Sequence, residues 1–428
     1  MFNLSKKSVT HSLQNRTQME QSSMNSTYLK VLPVAVVSAL MLVSMNVNAA
    51  AFIQCPGDTD SNAVVDDPTT PANIKCMHLG AGDGYITMAD GKLQYMFGFS
   101  DLTGIDQGLA LDAGIRAAEF PAPTITLDEG DEFYLTLTNI GMADRPDLAD
   151  PHTVHFHGFP NASSYFDGVP DASISVNLGA SLAYYYNVVQ PGTYMYHCHV
   201  EASEHMQMGM IGNLYVKPAQ NKLADQTPLG GNFTHTTGNE YVYNDGDGST
   251  FYDVEYPMQL SSFDSVFHDA SMSVQPLPFA NMFDNYGMIN GRGYPDTINP
   301  AVLPAPAENG GKPSQKVSSN VVATSGQKIL LRFSNLSVTN YFSVAVNGLT
   351  MKVVGIGARL LRGPDGKDIS YKTNSVTIGG GESRDVIIDT TGVAPGTYFL
   401  YTTNLNYLSN GPEDFGGMMT EIQILPVI

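Results

Sequence analysis

From about residue 85 the chain runs as short segments of alternating apolar and polar residues, separated by clusters of Gly, Pro, Asn and Asp. In ITLDEGDEFYLTLTNIG the chain turns at Glu129-Gly130, and Phe133, Leu135 and Leu137 then fall at every second position. A period of two places them on one face of a strand. No stretch past the first fifty residues sustains the 3.6-residue period of an amphipathic helix. The pattern predicts an all-β protein built as a sandwich or barrel of many short strands.

The second half repeats the first. GDEFYLTLTN (130–139) matches GQKILLRFSN (326–335), LGAS (178–181) matches GGES (380–383), and QPGTYMY (190–196) matches APGTYFL (394–400). Two copies of one β-sandwich follow from that spacing. The expected divisions are an N-terminal segment at 50–84, a first sandwich at 85–217, a polar linker at 218–240 and a second sandwich at 241–428. Residues 251–300, which include MINGRGYPDT, should supply the first strands of the second copy.

Composition narrows the class. The 428 residues are enough for two or three domains. A formal charge of −20 argues against a nucleic-acid partner, because phosphate binding needs a dense cationic surface. Residues 31–47 form an apolar run that follows Lys30 and ends in Val47-Asn48-Ala49. A positive flank, a short apolar core and small residues before a cleavage point describe a signal peptide at 1–49. Met24 is a second candidate start, and Lys6-Lys7 is not a twin-Arg pair. The expectation is a periplasmic or secreted protein with no membrane span after cleavage.

Export places the chain where disulfides persist. Cys55 and Cys76 flank a polar loop and are the natural pair, which leaves Cys198 over from an odd count of three.

Cys198 sits among histidines. Six of the ten His fall in His152-Thr-Val-His155-Phe-His157-Gly158 and in Tyr196-His197-Cys198-His199 with His205 downstream. Side chains alternate along a strand, so His155 and His157 share a face, as do His197 and His199. Cys198 faces the other way, where His152 and, from the loop that follows, His205 and Met210 can join it. A His₂Cys set with a weak Met is the ligand group of a blue-copper electron-transfer site, and four neutral imidazoles suit further copper. Met206 and Met208 compete with Met210 for the axial position. His78, His235 and His268 are isolated, and are read as surface or hydrogen-bonded side chains.

HTVHFHG and GTYMYHCHVEASEHMQMGM resemble the copper signatures of the multicopper oxidase family, within the cupredoxin superfamily, over roughly residues 80–428. The resemblance implies two cupredoxin-like Greek-key β-sandwich domains and a type 1 copper at His152, Cys198, His205 and Met210. It makes His155, His157, His197 and His199 catalytic ligands of a type 2/type 3 copper cluster where oxygen is reduced. It also admits a homotrimer, the arrangement usual among two-domain relatives. The family's cluster takes eight His from two domains. Aligning the repeat sets Phe342, Ala345 and Asn347 opposite His152, His155 and His157, and Tyr401, Thr402 and Thr403 opposite His197, Cys198 and His199. The second domain should therefore be a cupredoxin without copper ligands.

Three functions follow. The first is a copper oxidoreductase that takes electrons at a type 1 copper and passes them through His197-Cys198-His199 to a second copper site. The second is a non-enzymatic electron carrier or copper-binding protein. The third is an enzyme like nitrite reductase, from which the sequence departs by carrying His155 where those enzymes have Asp. A small molecule, a metal ion or a redox protein would serve as electron donor, with the acidic surface favouring cations.

Overall fold

The computed structural model of the chain describes residues 55–273 and 276–427. The signal peptide expected at 1–49, with Val47, Ala49 and the two candidate starts, lies outside the described residues. Among those described, no helix is long and apolar enough to cross a membrane.

The first sandwich is built from β1 (Ile74–Thr87), β2 (Leu93–Asp101), β3 (Ala122–Asp128), β4 (Glu132–Gly141), β5 (His155–His157), β6 (Ser181–Asn187), β7 (Gly192–His197) and β8 (Ile211–Lys217). One sheet has the order β2-β1-β4-β6 and the other β3-β8-β7-β5. The alternation in β4 buries Phe133, Leu135 and Leu137 against Phe97, Tyr184, Tyr186 and Tyr196. Each fully buried aromatic or leucine of this kind contributes on the order of 2 kcal/mol of apolar burial.

The first sandwich begins earlier than the alternation suggests. Glycine-rich LGAGDG (79–84) has the look of a turn, yet it forms the middle of β1. The glycines are there for close approach. A Cβ on Gly80 would lie 2.8 Å from Leu102 Cδ1, and one on Gly82 would lie 3.1 Å from the Gly141 carbonyl oxygen. Cys76 is thus part of β1, and its bond to Cys55 ties the preceding polar loop to the sandwich.

The stretch at 218–240 opens with one turn of 3-10 helix, Ala219–Lys222, and carries a buried His235. The second sandwich then adds β9 (Glu240–Tyr241), β10 (Phe251–Tyr252), β11 (Val254–Phe263), β12 (Tyr286–Ile289), β13 (Val321–Thr324), β14 (Lys328–Asn335) and β15 (Phe342–Val346). It closes with β16 (Met351–Ile356), β17 (Tyr371–Thr373), β18 (Ser375–Ile378), β19 (Glu382–Asp389), β20 (Gly396–Thr402) and β21 (Met419–Leu425). Its sheets have the orders β12-β11-β14-β19-β16-β17 and β13-β21-β20-β15-β18. The first four members of each reproduce the first sandwich. β11 runs parallel to β14 as β1 does to β4, and β13 runs parallel to β21 as β3 does to β8. The sequence repeat is therefore a repeat of topology, and the protein is all-β with two such sandwiches.

A buried cation joins the two. Arg332 on β14 is fully buried, with Nε donating to Glu255 Oε2 at 2.7 Å and Nη1 donating to Thr193 Oγ1 of the first sandwich at 3.1 Å. Thr193 in turn donates to Asp385 Oδ1 at 2.5 Å, and the guanidinium stacks 5.1 Å from the ring of Tyr215.

Candidate metal centre

Both histidine clusters lie in the sheet β3-β8-β7-β5, and its register sets them facing. β5 pairs antiparallel with β7, placing His155 opposite His197 and Phe156 opposite Tyr196. Phe156 turns into the core and stacks 4.1 Å from Tyr186, so its neighbours His155 and His157 turn the other way. Four imidazoles gather there. The ring of His155 lies 5.8 Å from that of His157, 5.2 Å from His197 and 5.1 Å from His199. One nitrogen from each of His155, His157 and His197 falls within a common 4.8 Å.

Backbone carbonyls aim two of these rings. His155 Nδ1 donates to the Asp167 carbonyl at 2.5 Å, and His197 Nδ1 donates to the Cys198 carbonyl at 2.9 Å. Each contact fixes the tautomer and leaves Nε2 with its lone pair free, the usual device for orienting a metal-binding histidine. Burial lowers His157 and takes His197 down to about 3, so both rings are neutral imidazoles rather than imidazolium ions at neutral pH.

On the opposite face, His152, Cys198 and His205 converge in full burial. Cys198 Sγ is 3.6 Å from His152 Nδ1 and 3.2 Å from His205 Nδ1. His152 is held by a two-way backbone bridge to Val176. His205 comes from the short helix Ala202–Gln207 rather than from a loop, because His205 and Met208 donate their N–H groups back to the carbonyls of Glu201 and Glu204. Met210 is fully buried in the same core cluster as Cys198, and its carbonyl accepts the Cys198 N–H at 3.2 Å. Met208 shares that cluster, whereas Met206 lines the four-imidazole cavity.

These residues fit copper. Burial pushes the Cys198 thiol up to about 11, so an adjacent cation is required to hold the thiolate at neutral pH. Burial takes His205 down to about 4 and holds His152 well below its ordinary value, so both are neutral ligands. His205 Nε2 and His157 Nδ1 are buried without a hydrogen-bond partner.

The four-imidazole cavity measures about 340 Å³ and is bounded on the far side by the second sandwich, through Leu336, Ser337, Val338, Gly380 and Gly381. None of these was legible as site-forming, since they lie well over a hundred residues from the histidines in sequence. Asp150 and Glu201 were also missed. Each has an oxygen within 4.8 Å of a ring nitrogen of His205, beside motifs whose histidines drew the reading. The isolated histidines are buried rather than on the surface. His78 Nε2 bonds Thr138 Oγ1 at 2.7 Å, His235 Nδ1 bonds the Tyr241 hydroxyl at 3.2 Å, and both nitrogens of His268 meet carbonyls, of Tyr95 and Gln207.

Two β-sandwiches, one carrying a buried His₂Cys set back to back with an imidazole cavity, define a copper protein of the cupredoxin kind. Sequence profiles described as multicopper oxidase match residues 113–221 and 265–422, together more than half of the chain, and the chain belongs to the multicopper oxidase family. A multicopper oxidase of Talaromyces pinophilus is 30% identical over 120 residues, 28% of this chain and 18% of that protein. The laccase abr2 of Aspergillus fumigatus is 30% identical over 122 residues, 28% of this chain and 19% of that protein. An L-ascorbate oxidase of Cucurbita pepo var. melopepo is 32% identical over 110 residues, 24% and 18% of the two chains. The match thus spans under a fifth of the length of these relatives. Among solved structures, the blue copper oxidase of Nitrosomonas europaea superposes with a TM-score of 0.57 at 23% identity, covering 81% of this chain and 85% of that one. The multicopper oxidase mgLAC superposes with a TM-score of 0.56 at 21% identity, covering 82% and 87%. Both show the same fold. Family members use a type 1 copper with additional copper centres.

Proposed function

We propose that the chain is an exported copper oxidoreductase that takes electrons from a one-electron donor and delivers them to oxygen. The observation that carries this reading is the placement of Cys198 between His197 and His199. Its thiol faces the buried His₂Cys pocket while both neighbouring imidazoles face the cavity. His152, Cys198, His205 and Met210 would hold the type 1 copper, and the cavity imidazoles the second centre. Copper at these two places supplies one-electron redox chemistry. The chain supplies the path, which is the single residue of backbone on either side of Cys198. The buried pocket keeps solvent from the thiolate, and the cavity admits a small molecule to the imidazole face. The carboxylates of Asp150 and Glu201 beside His205 favour a cationic donor or a metal ion over an anionic one. The Cys55–Cys76 bond agrees with an oxidising compartment.

The test is oxygen uptake by copper-loaded protein with ferrous ion and, separately, a phenol as donor. Uptake with a blue absorption band is expected. A blue band with no oxygen uptake from either donor would favour the second reading, an electron carrier, which the ligand-free second sandwich supports. Nitrite reduction has the least support, because the second sandwich offers no imidazole to the cavity.

A further inference from the structure

We propose that the four-imidazole cavity holds a single copper, bound by His155, His157 and His197, so that the chain carries two coppers in all rather than the four that a type 1 site and a complete three-copper cluster would need. The family's eight-imidazole cluster does not fit these residues, and the mismatch is structural. β20 pairs with β15 as β7 pairs with β5, setting Ala345 opposite Tyr401 where the first sandwich sets His155 opposite His197. The side of the cavity formed by the second sandwich consists of Leu336, Ser337, Val338, Gly380 and Gly381. Ser337 is already engaged, its N–H with Asn335 Oδ1 and its hydroxyl with Ser262.

A neighbouring copy's second sandwich could not lend the missing rings. No histidine follows His268 in the sequence. Among the described residues, the histidines outside the two sites are His78, His235 and His268, all buried and hydrogen-bonded within their own chain. A homotrimer that set a neighbour's second sandwich against the cavity would therefore add no imidazole.

Geometry and the number of donors then select one ion. Only His155, His157 and His197 bring one nitrogen each within a common 4.8 Å, and the His199 ring stands 5.1 Å from His155 and 5.4 Å from His197 as a fourth donor at the edge. The cavity lining includes no carboxylate or thiolate. Three neutral imidazoles accommodate one divalent ion, as in other three-histidine sites, and the one remaining ring, His199, supplies too few donors for a second. A fully reduced chain would then hold two electrons.

This inference rests on the type 1 reading for one of its two coppers, and the experiment separates them. The full-length protein is loaded with excess copper and desalted, and copper per chain, paramagnetic spins per chain and electron equivalents in an anaerobic reductive titration are measured. The expected result is two coppers, two spins and two electrons per chain, falling to one copper in Cys198→Ser and to one copper with the blue band intact in His157→Ala. Three or more coppers, fewer spins than coppers, or a blue protein with only one copper would overturn the single-copper cavity while leaving the type 1 site standing. A wild-type protein without a blue band would overturn the type 1 reading; retention of one copper in Cys198→Ser would still support the cavity site, and loss of all copper in that variant would overturn it.

Discussion

The two sandwiches share a topology and differ at the same positions of it. In the first, Cys198 N–H donates to the Met210 carbonyl. In the second, Thr402 N–H donates to the Met418 carbonyl at 3.0 Å, and Thr402 is as deeply buried as Cys198. Where His152 stands with its ring on the thiol, the second sandwich has a fully buried Phe342, packed 5.5 Å from Tyr407. One interior presents a His₂Cys set and the other is filled with hydrocarbon and hydroxyl. The scaffold therefore does not require copper to close; it requires that the volume be filled.

Replacing the deep residue in each copy tests this most severely. Cys198→Ser should abolish the blue band and donor oxidation altogether, whereas Thr402→Ser should leave copper content and spectrum unchanged and cost about 1 kcal/mol for one buried methyl. Copper analysis with visible absorbance decides, and a blue Cys198→Ser protein would show that the thiol was misassigned.

Next in size is the junction. Arg332→Met leaves Glu255 and Asp385 without their buried cation and should lower unfolding free energy by about 3–5 kcal/mol, read from urea denaturation. An unchanged midpoint would mean that the two halves stand independently.

Acid should act mainly on the histidine-bearing half. Burial takes His78 down to about 4, while an unfolded imidazole takes up its proton near 6.5. Between those values the unfolded chain binds more protons, so stability falls as pH drops through the window and is fully present above it. The loss is on the order of 3 kcal/mol for this one residue. His78→Gln should make the stability profile of the copper-free protein shallower between those pH values, with the other buried histidines supplying the slope that remains, measured by chemical denaturation at a series of pH settings.

The smallest effect probes the wall that the bare sandwich presents. Gly381 has φ +82°, and a Cβ there would lie 2.7 Å from His157 Nε2. Gly381→Ala should cost about 1–2 kcal/mol in backbone strain and reduce copper in the cavity, with the blue band untouched. Equal loss from both sites would contradict the separation of the two pockets.

Much of this was legible in the chain. The spacing of the repeat pointed to two copies of one sandwich, and strand parity set His155, His157, His197 and His199 on one face and His152 with Cys198 on the other, because alternation along a strand is a local property. Cys198 emerged from an odd count. What stayed hidden was set by distance or disguise. Gly80 and Gly82 look like turn residues until Leu102 and Gly141 are seen against them. Asp150 meets His205 only across the fold, Glu201 meets it through one turn of a short helix, and Leu336 to Val338 reach the cavity through the packing of one sandwich on the other. The helix bearing His205 is too short for its periodicity to show.

Arg332 also bears on how the chain can be divided. Cutting in the 218–240 stretch would leave Arg332 with Glu255 and Asp385 but strip away Thr193 and Tyr215, and would expose those two residues on the other fragment to water. Neither fragment is then a portable module, and heating should melt the pair as one cooperative unit. The second sandwich acts as a structural counterpart: its Arg332 and Asp385 are pinned by Thr193 of the neighbour they support.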